Sequence, residues 1–140
     1  MIPALVVAHR SGPFPDVFDV VGLLIAISAI TLESVADRQL AEFRADPSTK
    51  GQVCTRGLWR YSRHPNYFFE WVHWFGYAVM GIGAPLWLLT WLGPVFMFLF
   101  LRFLTGVPHA ERQSLRSRGE AYRAYQQTTS VFFPWIPRKL

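Results

Sequence analysis

An all-α integral membrane bundle of about three transmembrane helices is the fold class this sequence predicts, and three observations carry it. Hydrophobic residues make up 51% of the 140 and charged residues only 16%, where an ordinary soluble domain carries about a quarter charged. Twelve Phe and six Trp exceed what so short a chain can hide, because a small domain leaves much of its surface outside. The surplus apolar surface needs a non-aqueous partner. The third observation is where the cations fall. Of fourteen Lys and Arg, one precedes the first long apolar run, six lie between Arg38 and Arg63, and seven between Arg102 and Lys139. The two clusters flank the apolar region Trp71 to Leu104 as the positive-inside rule expects of two segments on one side of a membrane. A net charge of +5 therefore reads as membrane topology and not as a nucleic-acid surface. Disorder, collagen repeats and a disulfide scaffold are excluded by the same composition, and the single Cys54 has no bridging partner.

The chain reads as one membrane domain, residues 1–140, with spans near 16–33, 66–82 and 85–104. Pro3 to Ala8 reads as the end of a further apolar helix, and the prolines at 3, 13 and 15 do not make a signal peptide. Val17 to Leu32 is about 24 Å long as a helix, slightly short of a hydrocarbon core of about 30 Å, with Asp19 at the interface. Trp71 to Leu104 would be about 51 Å as one helix, too long for one span. Gly81-Ile82-Gly83-Ala84-Pro85 interrupts it with turn-forming residues, so it reads as a hairpin whose first arm starts near Pro65. Asp37 to Arg63 is then a cytoplasmic loop or interfacial helix, and His109 to Leu140 a cytoplasmic tail. Within that tail Ala110 to Gln127 reads as a surface helix divided at Gly119, and Phe132 to Lys139 as an aromatic and basic segment suited to the headgroup layer.

The residues with chemical potential cluster around Pro65. With Pro65 in the first turn of a helix, Asn66, Glu70, His73 and Tyr77 share one face at i, i+4, i+7 and i+11. A carboxylate inside an apolar helix costs several kcal/mol if unpaired and marks a functional site by default; the alternative is a purely structural ion pair between Glu70 and Arg102 or a tail arginine. Glu33, Asp37 and Arg44 succeed each other along the end of the first helix, either as nucleotide ligands or as solvated helix-end residues. Arg56, Arg60, Arg63 and His64 form a cationic group suited to phosphate oxygens, with anionic lipid headgroups as the competing partner. Glu70-Trp71-Val72-His73 matches half of a di-iron motif without a second copy, so no metal site is assigned. Walker A, G-x-G-x-x-G and G-x-S-x-G signatures do not occur where they would carry chemistry.

The blocks Glu33 to Gln39, Arg44 to Pro47, Lys50-Gly51, Gly57 to Trp71 and Phe133-Pro134-Trp135 together resemble the steroid 5-alpha-reductase-like membrane proteins, specifically their bacterial DUF1295 group. The element Arg63-His64-Pro65-Asn66-Tyr67 is also similar to isoprenylcysteine carboxyl methyltransferases and sterol reductases. The resemblance implies a bacterial inner-membrane enzyme in which NADPH enters from the cytoplasmic side and reduces an enone-type carbon–carbon double bond of a steroid- or lipid-like substrate. It implies that Asp37 and Arg44 hold the nucleotide, Asn66 and Glu70 its nicotinamide end, and Arg63 and His64 its phosphates. Glu111 falls where the steroid reductases place a histidine of the cofactor cradle. Family members are longer, so this chain is expected to correspond to their C-terminal, cofactor-binding part, and no residue is assigned as proton donor. An S-adenosylmethionine-dependent methyltransferase and a non-catalytic membrane module or partner subunit are the alternative readings.

Overall fold

The computed structural model describes residues 2–138, and those residues form helices and no strands. A short helix α1 (Ile2–Ala8) leads to α2 (Val17–Ala45), 29 residues long or about 43 Å. A loop with two short 3-10 turns follows, then α3 (Pro65–Met80). The returning arm comes in three pieces, a 3-10 turn Trp87–Trp91, α4 (Leu92–Leu99) and a π turn Phe100–Leu104, and runs into α5 (Gly106–Thr128). Two helical stretches are long and apolar enough to cross a membrane, α2 and the run Trp87–Thr128. Val20, Leu24, Ile27, Val95, Phe96 and Phe103 are all about half exposed, an outward apolar surface compatible with a bilayer.

α3 lies antiparallel on α2, since Gly76 meets Gly22 near one end while Asn66 meets Asp37 at the other. The crossing uses small residues; Gly22, Ala29, Gly76 and Ala78 are buried, which lets two helix backbones approach closely. Arg10 clamps the far end. It bonds Asp19, approaches Asp16 at 3.3 Å and donates to the carbonyl of Met80 at 3.0 Å. Asp16 and Asp19 form the capping box of α2, so acids sit at one helix start and a cation at the neighbouring helix end, as both dipoles favour. Asp19, expected at the interface, is thereby buried under Arg10.

Two expectations are corrected. The first membrane helix does not give way to a loop or interfacial helix near Asp37 but continues unbroken to Ala45. Residues 36–45 contain three Ala, Leu40, Gln39, Glu42 and two Arg, all good helix formers, and no breaker comes before Pro47. The returning arm is likewise not one regular helix. Pro108 would press its ring on the carbonyl of residue 104 in a straight α-helix, and the chain answers with a π turn in which Thr105 N donates to Phe100 O at 2.8 Å.

The C-terminal segment runs antiparallel to residues 61–63. Arg63 N donates to Ser130 O at 2.8 Å, Ser62 Oγ to Phe132 O at 2.8 Å, and Trp135 N to Tyr61 O at 2.9 Å. Phe132 is fully buried and packs on Phe68, Trp71 and Phe98. The aromatic tail is thus anchored at the basic end of the apolar layer, while Lys139 of that expected headgroup segment lies outside the described residues.

Candidate functional site

The floor of the site is the second half of α2 with the loop that follows it. Trp59 Nε1 donates to Ala36 O at 2.8 Å, and Leu58 N donates to Gln39 Oε1 at 2.9 Å. These bonds pull the loop down so that Trp59, Phe43 and Cys54 pack together with Leu40 at their edge. Tyr125 holds the loop from the other side, its hydroxyl bonding Trp59 O and reaching Ser62 O at 3.2 Å.

The wall is α5, and it is not straight. A continuous helix would separate residues 111 and 126 by about 22 Å, yet Gln126 Nε2 donates to Glu111 Oε2. The helix folds back at Gly119, whose φ of 49° and ψ of −120° lie in a region open essentially to glycine. Gly119→Ala should therefore lower stability by about 1–3 kcal/mol, read as a shift of the unfolding midpoint; a midpoint equal to wild type would mean the fold-back does not need this conformation.

Inside the fold-back Glu111 is a hub. His64 Nε2 lies 2.8 Å and Tyr122 Oη 2.7 Å from its Oε1, and Arg63 Nε stands 3.1 Å from the same oxygen. Burial would raise this carboxyl, but the bonds from His64, Tyr122 and Gln126 and the charge of Arg63 outweigh it and hold the pKa at about 2. The same arrangement, burial first and the Glu111 carboxylate second, pushes the Tyr122 hydroxyl up. Tyr125 is raised too, chiefly by burial. Glu111 is thus an anion, and both tyrosines keep their protons.

Between floor and wall lies a cavity of about 280 Å³, with Asp37, Arg44, Arg63, His64 and Asn66 in its lining. It sits beyond the apolar part of α2, at the end where the cations collect. Asn66 Nδ2 donates to Asp37 Oδ1 at 3.0 Å, while Asn66 Oδ1 is buried with no hydrogen-bond partner. The His64 ring stacks on Tyr67 at 5.6 Å. Arg44 and Arg118 also border an adjoining groove of about 450 Å³ that includes Lys50.

Five of the seven residues singled out in the sequence, Asp37, Arg44, Arg63, His64 and Asn66, meet in this lining. Glu111 stands behind it and orients Arg63 and His64. Glu70 is half-buried beside Asp37 and Glu33 and outside the lining; among the described residues no cation stands within ion-pairing distance of it. Arg102, its expected structural partner, lies over the Phe103 ring instead. The expected cationic group of Arg56, Arg60, Arg63 and His64 divides, because Arg56 lies over Phe43 and Arg60 is exposed. Sequence reasoning missed His109, Gln113, Arg118 and Tyr122, which α5 adds to the lining.

No curated protein and no solved structure matches the chain. A family model described as protein of unknown function (DUF1295) matches residues 1–129, so the chain belongs to the DUF1295 family.

Proposed function

We propose that this chain is the cofactor-binding part of a steroid 5-alpha-reductase-like membrane oxidoreductase, taking NADPH from the cytoplasmic side of a bacterial inner membrane to reduce an enone-type double bond of a lipid-like substrate. One observation carries the reading: a polar cavity at the basic end of an apolar bundle, lined by Arg44, Arg63, Asp37 and Asn66, whose buried Oδ1 has no partner. Buried polar atoms are normally satisfied, so the orphan fits a ligand that brings an N–H donor, as a carboxamide does. At about 280 Å³ the cavity is at the low end of small-molecule sites and suits one end of a dinucleotide. The adjoining groove, with Arg44, Lys50 and Arg118, suits its phosphates.

When bound, the cofactor supplies a hydride. The chain's own residues bind and orient it: Arg44 and Arg118 meet phosphate oxygens with planar donor forks, Asp37 and Asn66 offer acceptors for amide and ribose donors, and Glu111 keeps Arg63 and His64 fixed at the rim. The open apolar groove between α2 and α3, about 370 Å³ with walls that include Leu24, Ile25, Leu32, Phe69 and Val72, suits a lipid-like substrate. The gathering of cations at the cavity end supports a cytoplasmic orientation for it.

Arg44 makes no ion pair among the described residues and is exposed, so Arg44→Gln should fold normally and weaken NADPH binding about 10–100-fold, the loss of a hydrogen bond to a charged group. Titration of the purified protein, followed by dihydronicotinamide fluorescence, reads this directly. Wild-type affinity in the variant removes Arg44 from the site. Binding of S-adenosylmethionine in place of NADPH assigns a methyltransferase, and binding of neither a non-catalytic module.

A further inference from the structure

A second concavity lies across Arg63 from the nucleotide cavity. The end of α5 and the C-terminal segment enclose a groove of about 480 Å³ whose lining includes Arg63, Thr128, Thr129, Ser130 and Arg138 and, among the described residues, no carboxylate. The Arg63 side chain is 10% exposed; its Nη1 donates to Gln126 O at 2.9 Å, and its Nε faces Glu111 as an ion pair without hydrogen-bond alignment. Thr129 is buried, and its hydroxyl meets only that of Thr128, at 3.4 Å. The groove therefore holds cationic and hydroxyl groups with bonding capacity to spare.

Its mouth has the opposite character. Trp135 and Ile136 line the groove and are 72% and 77% exposed. The segment that carries them is anchored through Phe132 and Phe133 on Phe68, Trp71 and Phe98, at the basic end of the apolar layer. Exposed Trp and Ile beside arginine at that level match the boundary between acyl chains and headgroups.

We infer that this groove binds the phosphate of an anionic membrane phospholipid, with Arg138, Arg63 and the Thr129 and Ser130 hydroxyls around the phosphoryl oxygens and Trp135 and Ile136 against the acyl chains. This site is separate from the nucleotide cavity and does not depend on that assignment. A helix C-terminus ordinarily repels anions, but here three of its last four carbonyls are occupied: Tyr125 O by Thr129 N, Gln126 O by Arg63 and Thr128 O by Arg138 N. Because Arg63 shares its charge with Glu111, Arg138, exposed and without an ion pair among the described residues, supplies the second cation.

Native mass spectrometry of the full chain in detergent, titrated with phosphatidylglycerol or phosphatidylcholine, tests this. One phosphatidylglycerol should be retained in preference to phosphatidylcholine, and Arg138→Gln should weaken it about fivefold, the effect of one basic side chain near a lipid surface. Arg138 contributes its backbone N–H to the fold, so the variant keeps that bond, and Arg138→Lys should retain most of the affinity. Arg116→Gln removes an equal charge from an exposed position of α5 and should leave retention unchanged. Equal losses in the two Gln variants, or equal retention of both lipids, overturn the site in favour of diffuse attraction. Displacement of the lipid by inorganic phosphate at matched concentration overturns the lipid as its source.

Discussion

Glu111→Leu should lower the stability of this protein by about 3–5 kcal/mol, the usual consequence of removing one partner from a buried ion pair. The variant leaves Arg63 and His64 without their anion and Tyr122 and Gln126 without their acceptor. Because those four groups come from the loop before α3 and from the second limb of the folded-back α5, and Glu111 from its first limb, the wall of the cavity should detach as a unit. Proteolysis near Gly119 should accelerate while the α2–α3 pair persists. Acid titration of the wild type gives the same quantity independently. The carboxyl titrates near pH 2 in the folded protein and near 4.5 when free of its partners, so the unfolded chain takes up the proton first as pH falls. The stabilisation is complete above about pH 4.5, decays between 4.5 and 2, and is lost below. At 1.36 kcal/mol per pH unit it amounts to roughly 3 kcal/mol. Glu111→Gln should flatten this part of the stability profile, and an unchanged acid slope would show that the carboxylate is not the group that holds the wall.

What the sequence made legible was decided by local physics. The apolar run after Asp16, the turn residues Gly81 to Pro85 and the Pro65 helix start each signal themselves within a few residues, and all three appear. Asp37 and Asn66 were legible as polar residues on two helices, and antiparallel packing brings them to 3.0 Å. What stayed hidden is tertiary. A charged, Gln-rich helix looks the same whether it lies on a membrane or folds over a cavity, so Arg118 and Tyr122 gave no sign of lining one. Gly119 was the available signal, since a mid-helix glycine between Glu111 and two tyrosines is where a reversal can occur. The separation of Arg56 and Arg60 from Arg63 was equally illegible, because it follows from Phe43 offering a ring to one and Glu111 a charge to another.

Gly22→Val should have an effect of similar size through backbone geometry alone. A Cβ on Gly22 would stand 2.5 Å from the carbonyl oxygen of Gly76 and 2.5 Å from Met80 Cγ; one on Gly76 would stand 2.7 Å from the Gly22 oxygen. The methionine can swing aside, but a helix carbonyl moves only with its helix, so α2 and α3 must part. Overpacking costs about 1–3 kcal/mol where side chains can yield, and the upper end or beyond is expected where backbone opposes backbone. The crossing lies between the Arg10 clamp and the Asp37–Asn66 bond, so parting the helices also disturbs the cavity lining, and ligand affinity should fall with stability. Ile27→Val, on the exposed face of α2, should change neither. The double variant Gly22→Val, Gly76→Val supplies the decisive comparison, because residues in direct contact are not additive. Once the first valine has separated the helices the second meets open space, so the combined loss should be smaller than the sum; strict additivity would mean that the two glycines do not share one contact.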